Sequence, residues 1–329
     1  MTDPGGQRAA RTIFLGSGQF ALPVLSAAAR HPQIKLLGII TAPVRPGRDG
    51  ALDVPVAQWA TQHNIGLLRP ARLRDPETVE RIARGAPDLL VLADYGQIVP
   101  EGLLTMPRHG ALNLHPSLLP RHRGASPIPA TILAGDKETG VSLMLMDAGL
   151  DTGPVIAQRR LSLTRRETAP LLESQLATLA AELLTDTLDP WLAGIVKPAP
   201  QSNEGVTLTR PLRRDDGRMD PELGIDFLDR QFRAYQPWPG TFLETPLGRI
   251  IVWDAQALEA GAIRRPGTLI RLPANRLAVS TRDGLLELME VQPAGGKRMT
   301  GAELLHGRPA LAGMIVATAR PEDSPGSSA

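Results

Sequence analysis

Two stretches of the sequence contain polar residue types that could do chemistry together. The first, residues 110–127, reads GALNLHPSLLPRHRGASP and contains Asn113 and His115. The second, residues 146–158, reads MDAGLDTGPVIAQ and contains Asp151. An amide, an imidazole and a carboxylate form a set that can stabilise a developing negative charge and move a proton. We therefore take Asn113, His115 and Asp151 as the candidate catalytic residues.

The GALNLH run predicts a short buried strand that ends at two of these residues. Side chains alternate along a strand, so Asn113 and His115 lie on one face, and Leu112 and Leu114 lie on the other. Pro116 ends the strand, because proline has no N–H to donate to a neighbouring strand. The two polar residues are therefore expected at the carboxyl edge of a sheet, where open α/β sheets bind ligands.

The chemistry of this set favours transfer of an acyl group to a nucleophile that the substrate supplies. An amide N–H and an imidazole N–H two residues apart can both point at one oxygen and stabilise it as an oxyanion. A carboxylate near the histidine would hold the imidazole protonated or relay a proton. The chain has no cysteine and no G-x-S-x-G motif that would provide an activated nucleophile of its own. Its six histidines show no metal-binding spacing, so no metal is expected.

The composition is that of an ordinary globular protein. The chain has 329 residues, of which 42% are hydrophobic, and a formal net charge of +2. This length suits two domains, and the small net charge means that any nucleic-acid contact must depend on local basic patches. The first residues contain no apolar signal segment, and no run approaches about 18 apolar residues, which predicts no membrane span. A cytoplasmic monomer is the default expectation.

The order of the predicted elements indicates an α/β domain followed by a β domain. Strand-like and helix-like runs alternate through the first two-thirds of the chain, a pattern typical of a doubly wound, mostly parallel sheet of the Rossmann type. This domain is predicted over residues 1–195, a Pro-rich polar linker over 196–206, a small β-barrel over 207–318 and a disordered tail over 319–329. In the first domain, strands are predicted over residues 11–16, 34–41, 88–94, 110–115, 141–146 and 154–161, and helices over 19–30, 55–64, 76–85, 127–134 and 168–192.

A glycine-containing turn after the first predicted strand leaves a second kind of site open. Gly16, Gly18 and Ala21 match the G-x-G-x-x-A fingerprint of dinucleotide-binding turns. The second predicted strand, however, ends in Thr41 and Ala42, without the acidic residue that would bind a ribose. A dinucleotide site is therefore kept as an alternative that the motif alone supports weakly.

Four local motifs, taken in order, resemble those of a known enzyme family. They are the N-x-H strand, the SLLP turn over Ser117–Pro120, the Arg123-Gly124-Ala125 run and the D-x-G-L-D-T-G loop over Asp147–Gly153. Together they resemble the folate-dependent formyltransferases. The likeness covers nearly the whole chain, from IFLGSGQFALPVL through TAPVRPGRDG and YGQIVPEGLL to YQPWPGTF and VQPAGGKRM.

The resemblance implies a fold, a donor and a set of site residues. In that family the asparagine, the histidine and the aspartate are catalytic, and they correspond here to Asn113, His115 and Asp151. The family's one-carbon donor is 10-formyltetrahydrofolate, its chemistry needs no metal, and its C-terminal domain is an OB-like barrel. By the same resemblance, the folate would contact Ser117, Leu118, Leu119, Pro120, Tyr95, Ile98 and Asp147.

The resemblance also implies an acceptor. The C-terminal region and the TAPVRPGRDG insertion favour the family members that formylate the α-amine of initiator methionyl-tRNA. Arg45 and Arg48 in this insertion are the candidate tRNA contacts, although the insertion is short and lacks the paired lysines usual there. An enzyme that formylates the amine of a nucleotide sugar would share the donor and the catalytic set, and it is the first alternative. A folate or RNA binder without catalysis is the second.

Overall fold

The computed structural model of the protein describes residues 8–43, 54–258 and 264–317. The chain divides into two compact units that interleave along the sequence. Unit 1 is drawn from residues up to 128, from 137–164 and from 171–210, and unit 2 from residues 129–136, from 165–170 and from residue 211 onward. The segment predicted to be a linker, residues 196–206, therefore falls within unit 1.

Unit 1 contains the α/β part of the fold. Its strands are β1 (Ala10–Gly16), β2 (Ile34–Ile40), β3 (Leu67–Leu68), β4 (Leu89–Ala93), β5 (Ala111–His115), β6 (Arg123–Gly124), β7 (Glu138–Leu145), β8 (Val155–Ser162) and β9 (Leu208–Thr209). The helices in this part of the chain are α1 (Ala21–Arg30), α2 (Pro55–Gln62), α3 (Pro76–Arg84), α4 (Glu101–Thr105), α5 (Pro127–Ala134) and α6 (Ala169–Leu192).

The main sheet of unit 1 has seven strands in the order β3-β2-β1-β4-β5-β7-β8. The first five strands pair in parallel. Strand β7 pairs antiparallel with β5, and β8 pairs antiparallel with β7. Every residue of β4 is buried, as expected for a central strand of a parallel sheet whose two faces are both covered. The predicted α/β fold with a mostly parallel sheet is confirmed. The antiparallel pairing of β7 with β5 was not predicted, and it places the β7–β8 hairpin beside β5.

The helices of this part of the chain follow their sequence signals closely. Pro55 and Pro76 each occupy the first turn of a helix, where the missing N–H of proline costs no hydrogen bond. The long helix α6 buries Leu172, Leu176 and Ala180 at four-residue spacing, which is the apolar stripe that a helix needs to pack on a sheet. The described residues contain no helix with the length and apolarity needed to cross a membrane.

Unit 2 is built mainly from antiparallel strands. They are β10 (Thr241–Thr245), β11 (Gly248–Leu258), β12 (Leu269–Arg271), β13 (Leu277–Ser280), β14 (Leu285–Pro293) and β15 (Met299–Thr300), with helices α7 (Ile225–Tyr235) and α8 (Gly301–Gly307). The strand order is β10-β11-β14-β13-β12, and β15 pairs with β14. The predicted small β domain is confirmed. Helix α7, which buries Leu228, Ala234 and Tyr235, was not predicted.

Candidate active site

The structure brings two of the three candidate catalytic residues into contact. His115 is the last residue of β5, and Asp151 lies on the β7–β8 hairpin. The distance from His115 Nδ1 to Asp151 Oδ2 is 3.7 Å, and the side chains are only 5% and 14% exposed. Few water molecules can therefore surround this pair, so the charge on the carboxylate acts on the imidazole with little screening.

Asn113 lies on the same strand, two residues before His115. It pairs with Leu92 of β4 on one side and with Met144 of β7 on the other. Its side chain is only partly buried, and within the described part of the chain its amide has no hydrogen-bond partner. The amide is therefore able to bind a group from outside the protein.

The hydrogen bonds of His115 determine which ring nitrogen can meet a substrate. His115 Nε2 is 2.9 Å from the carbonyl oxygen of His122. A carbonyl oxygen can only accept, so Nε2 must carry a proton and donate it. The nitrogen that remains for chemistry is Nδ1, which faces Asp151. This assignment was not accessible from the sequence, where both nitrogens were equivalent.

The Asp151 side chain is tied to the loop that follows β5. Its Oδ2 accepts a hydrogen bond of 2.7 Å from the backbone N–H of Gly124. Gly124 has a positive φ of 107°, and a Cβ built on it would lie 2.2 Å from the carbonyl oxygen of Thr209. Only glycine can occupy this position, because both the backbone conformation and the neighbouring strand exclude a side chain. Glycine here thus allows the loop to approach Asp151.

Asp147, a predicted folate contact, lies on the same hairpin and shapes it. Its Oδ1 accepts hydrogen bonds from Gly149 N at 3.0 Å and from Thr152 Oγ1 at 2.8 Å. These bonds close the turn that presents Asp151. The observed contacts of Asp147 Oδ1 are therefore all within the loop, and its contact with folate stays a prediction.

The SLLP turn is held in place by the strands behind it. Ser142 Oγ donates to the carbonyl oxygen of Ser117 at 2.7 Å and accepts from Leu119 N at 3.0 Å, while Gln158 Nε2 donates to the carbonyl oxygen of Leu119 at 3.0 Å. Ser117 Oγ donates to Arg121 O at 2.6 Å. These bonds fix the course of the turn.

Two of the four predicted folate contacts in this turn have inward-facing side chains. Ser117 is fully buried and Leu119 is 6% exposed, whereas Leu118 and Pro120 are half-buried. A ligand on this surface would therefore meet the side chains of Leu118 and Pro120 and the backbone of the turn. The contacts themselves stay predictions.

Tyr95 and Ile98, the remaining predicted folate contacts, follow β4. Burial raises the pKa of Tyr95 to about 12, and its hydroxyl is buried with no hydrogen-bond partner among the residues that the structure describes. Ile98 is 90% exposed. A buried hydroxyl without a partner is unfavourable in an isolated protein, which is the situation expected where a ligand completes the surface. Arg45 and Arg48, the predicted tRNA contacts, lie outside the described residues.

Two carboxylates occupy the turn that matched a dinucleotide fingerprint. Although Asp94 is exposed as a whole residue, its carboxyl packs on Gly18, where a built Cβ would lie 1.8 Å from Asp94 Oδ2. Glu173 Oε1 accepts from Phe20 N at 3.2 Å. The second glycine of the motif, Gly18, is thus needed because a side chain there would collide with the Asp94 carboxyl. A phosphate placed at this turn would be repelled by the carboxylates of Asp94 and Glu173. The dinucleotide alternative is disfavoured.

The environment of this turn makes the Asp94 carboxyl hard to ionise. Loss of surrounding water raises the pKa of Asp94 to about 6, the nearby Glu173 adds to this rise, and the hydrogen bond from the Gly18 backbone opposes it. Burial likewise raises the pKa of Glu173, against the lowering effect of its bond from Phe20 N.

Two residues that the sequence analysis did not single out contact the loops of the candidate site. Gln201 donates to the carbonyl oxygens of Asp151 and Gly153, and Thr207 Oγ1 accepts from His122 N. Both belong to the segment predicted as a linker or to the residues just after it. No local pattern marks them, because their partners are 48 to 85 residues away in the chain. Within residues 8–43, 54–258 and 264–317, no group of three or more His, Asp or Glu residues could hold a metal ion.

Two family models match the chain. The model described as formyl transferase matches residues 10–188, and the model described as formyl transferase, C-terminal domain, matches residues 211–309. The methionyl-tRNA formyltransferase of Myxococcus xanthus is 39% identical over 299 residues, which cover 90% of this chain and 95% of that protein. The methionyl-tRNA formyltransferase of Thermus thermophilus is 40% identical over 301 residues, which cover 90% of this chain and 96% of that protein.

Solved structures with the same fold are more distant in sequence. HypX from Aquifex aeolicus in complex with tetrahydrofolic acid matches with a TM-score of 0.63 at 18% identity, covering 90% of this chain and 47% of that one. An N-formyltransferase from Helicobacter canadensis in complex with folinic acid and dTDP-3-aminofucose matches with a TM-score of 0.60 at 13% identity, covering 86% and 99%. At these identities the likeness shows a common fold.

Replacing Asp94 by asparagine tests the cost of charging this carboxyl. Between the ordinary pKa of 3.8 and the folded-state value of about 6, the folded protein binds more protons than the unfolded chain, so stability falls as pH rises through this window. Asparagine has no ionisable carboxyl, so the variant does not lose this stability as the pH rises. We expect the Asp94→Asn variant to match the parent near pH 4 and to be more stable by about 1 kcal/mol above about pH 7, a figure reduced for the exposure of Asp94.

Urea denaturation of the parent and of the Asp94→Asn variant, at several pH values between 4 and 8, measures this difference. A variant that is less stable than the parent at neutral pH would contradict the expectation. It would mean that the hydrogen bond from Gly18 to the charged carboxylate outweighs the loss of water.

Proposed function

Because the chain belongs to the formyl transferase family, we propose that it transfers the formyl group of 10-formyltetrahydrofolate to the α-amine of methionyl-tRNA, the initiator species. The observation that carries this choice of acceptor is the likeness of nearly the whole chain, across both matched regions, to relatives that bear the name methionyl-tRNA formyltransferase. The His115–Asp151 pair, and the Asn113 amide that has no partner among the described residues, are suited to the chemistry that the transfer needs. This activity would serve translation initiation in the cytoplasm.

The reaction exchanges one C–N bond for another. The lone pair of the amine attacks the formyl carbon, and the carbonyl π electrons move to the formyl oxygen. Collapse of the resulting tetrahedral species breaks the bond to N10 of the folate. The proton lost by the amine ends on N10, so atoms and charge balance without any covalent bond to the protein. The protein must therefore stabilise an oxyanion and assist one proton transfer.

Asn113 is suited to the first task. Its amide N–H groups are not used by the described part of the protein, and the strand fixes the position of its backbone between two neighbouring strands. A donor held in place before the reaction does not have to reorient as charge develops on the formyl oxygen. We assign Asn113 as the oxyanion donor.

His115 and Asp151 are suited to act together. Since Nε2–H is donated to His122, a protonated His115 would present Nδ1–H on the side of Asp151. The gap of 3.7 Å between Nδ1 and Oδ2 is longer than a hydrogen bond, so the carboxylate does not take up Nδ1–H. This donor stays available to the oxyanion while the carboxylate balances the imidazolium charge. Asp151 can also accept the proton of the attacking amine through a water molecule.

The folate site is assigned to the surface next to this pair. The residues that would hold the donor are Tyr95, Ile98, Ser117, Leu118, Leu119, Pro120 and Asp147. The exposed Ile98 offers an apolar surface for a pterin ring. The hydroxyl of Tyr95, which has no partner within residues 8–43, 54–258 and 264–317, offers a polar contact. Ser117 and Asp147 would act mainly by shaping the backbone of their loops, because their side chains are bonded within those loops.

The proposal is tested by offering the protein 10-formyltetrahydrofolate with either methionyl-tRNA or an amino-sugar nucleotide. We expect formyl-methionyl-tRNA to form and the sugar to remain unmodified. Formylation of the sugar alone would replace the proposed acceptor by the first alternative. Binding of folate without formylation of either acceptor would favour a non-catalytic binder.

Replacing Asn113 by alanine should lower kcat by about 100-fold or more, because one oxyanion donor is lost. The isosteric Asn113→Asp variant is a matched control for shape. It should be at least as slow, because a carboxylate repels the oxyanion. Rates under saturating donor and acceptor, together with the unfolding midpoint of each variant, separate a loss of chemistry from a loss of folding. Turnover by either variant close to that of the parent would contradict the role of Asn113.

Replacing both Arg45 and Arg48 by alanine should raise the Michaelis constant for methionyl-tRNA and flatten its dependence on salt, because two phosphate contacts are lost. The Michaelis constant for the folate donor should stay the same. Arg81 and Arg84, two exposed arginines in the last turn of α3, provide a control double variant with the same change in net charge. Equal salt dependence in both double variants would contradict a specific contact.

A further inference from the structure

A short segment between the two family-matched regions contacts the loop that carries Asp151 and the loop that accepts the hydrogen bond of His115. We call residues 199–209 the strap. The strap begins where Ala199 and Val155 exchange two backbone hydrogen bonds of 2.8 Å, and it ends where β9 pairs with β6 through Arg123 and Leu208. Both ends are therefore attached to loops that carry the candidate site. The strap lies within unit 1.

Gln201 is the residue of the strap that touches the Asp151 loop. Its Nε2 donates to the carbonyl oxygens of Asp151 at 2.8 Å and of Gly153 at 2.7 Å. Its Oε1 accepts from Arg123 Nε at 3.0 Å and from Arg123 Nη2 at 2.8 Å. Carbonyls only accept and a guanidinium only donates, so these partners determine the orientation of the amide. All the hydrogen-bonding capacity of the side chain is used.

One of the two carbonyls that Gln201 binds belongs to a strained backbone position. Asp151 has a φ of 52°, in the left-handed region that non-glycine residues rarely adopt. Such a conformation persists only when surrounding contacts impose it. The bonds from Gln201 to the carbonyls of Asp151 and Gly153 are contacts of that kind. They hold the backbone in the conformation that points the Asp151 carboxylate at Gly124 N and His115 Nδ1.

The strap also supports the other partner of the pair. Thr207 Oγ1 accepts from His122 N at 2.7 Å, and Thr207 O accepts from Arg123 N at 2.9 Å. The carbonyl oxygen of His122 in turn accepts from His115 Nε2. One segment therefore positions the carboxylate through Gln201 and the imidazole through His122.

We propose that Gln201 is a positioning residue for the transfer reaction, which holds the Asp151 carboxylate at its working distance from His115 through hydrogen bonds to two backbone carbonyls. This role rests on the proposed function of the Asn113, His115 and Asp151 site. Gln201 does not touch the reacting atoms. It acts on kcat because a small displacement of the carboxylate weakens its stabilisation of the protonated His115 that donates to the oxyanion.

Unit 2 provides a matched control for the loss of such an amide. Gln231 Nε2 donates to the carbonyl oxygens of Asp216 and Arg218 at 2.9 Å each, again two carbonyls two residues apart. Gln231 is buried, and its hydrogen bonds involve none of the residues of the candidate site. Replacing it by leucine removes the same pair of N–H donors without disturbing Asp151.

The test compares Gln201→Leu, Gln201→Glu and Gln231→Leu in the full chain. Gln201→Glu keeps an acceptor for Arg123 but loses both N–H donors. We expect Gln201→Leu and Gln201→Glu each to lower kcat by about 10- to 100-fold, with the Michaelis constant for the donor changed by less than about two-fold. Gln231→Leu should leave kcat close to that of the parent. The glutamate variant also keeps the test informative if the leucine variant does not fold.

A second measurement does not depend on activity. The backbone N–H of Gly124 donates to Asp151 Oδ2, and this bond should protect it from hydrogen exchange. Both Gln201 variants should therefore exchange this amide about 10-fold faster or more, while Gln231→Leu should not. Parent values of kcat and of Gly124 exchange in both Gln201 variants would overturn the proposal. A parent value of kcat in Gln201→Glu alone would also overturn it, because the Arg123 contact would then be the one that matters.

The two proposals can fail separately. If the parent protein does not formylate methionyl-tRNA, the proposed function fails. Exchange at Gly124 then still decides whether Gln201 orders the Asp151 loop. If the parent is active and Gln201→Leu retains its kcat and its Gly124 protection, the inference about Gln201 fails and the proposed function stands.

Discussion

The hydrogen bond from His115 Nε2 to the carbonyl oxygen of His122 is the constraint on which the rest of the site depends. It holds a proton on Nε2 and turns Nδ1 towards Asp151. A histidine that was free to rotate, or to change tautomer, could not be paired with one carboxylate in one orientation. The loop that supplies the carbonyl must therefore be as well fixed as strand β5, and the structure fixes it with several contacts from distant parts of the chain.

That requirement accounts for the density of hydrogen bonds around the two loops. Ser142 and Gln158 bind the turn after β5 at Leu119, and the strap binds the following loop at His122. A buried polar group that loses its partner is costly, so a network of this kind is stable only when nearly all of its members are satisfied. The amide of Asn113 and the hydroxyl of Tyr95, which find no partner in the described part of the protein, stand out against this background.

The turn after β1 shows how one sequence motif can serve a different physical end. In a dinucleotide-binding protein the second glycine of the fingerprint gives room to a phosphate. Here the same position gives room to the carboxyl of Asp94, and the neighbouring N–H of Phe20 is taken by Glu173. The protein fills with its own carboxylates the place where the motif alone would put an anionic ligand. The spacing of the glycines indicates only that some group lies close to the backbone of the turn. The structure shows that this group is the carboxyl of Asp94.

The sequence by itself determined the features that local patterns encode. The alternation of Asn113 and His115 with leucines placed both on one face of a strand, the order of apolar runs predicted the α/β domain and the β domain, and the motif series indicated the formyl transferase family. Tertiary structure alone decided the antiparallel direction of β7, the ring nitrogen of His115 that faces Asp151, and the hydrogen-bond partners of Gln201 and Thr207. The physical reason is that these features depend on hydrogen bonds between residues that are 50 and 85 positions apart, and no local spacing or composition records which distant carbonyl a side chain will meet once the chain has folded.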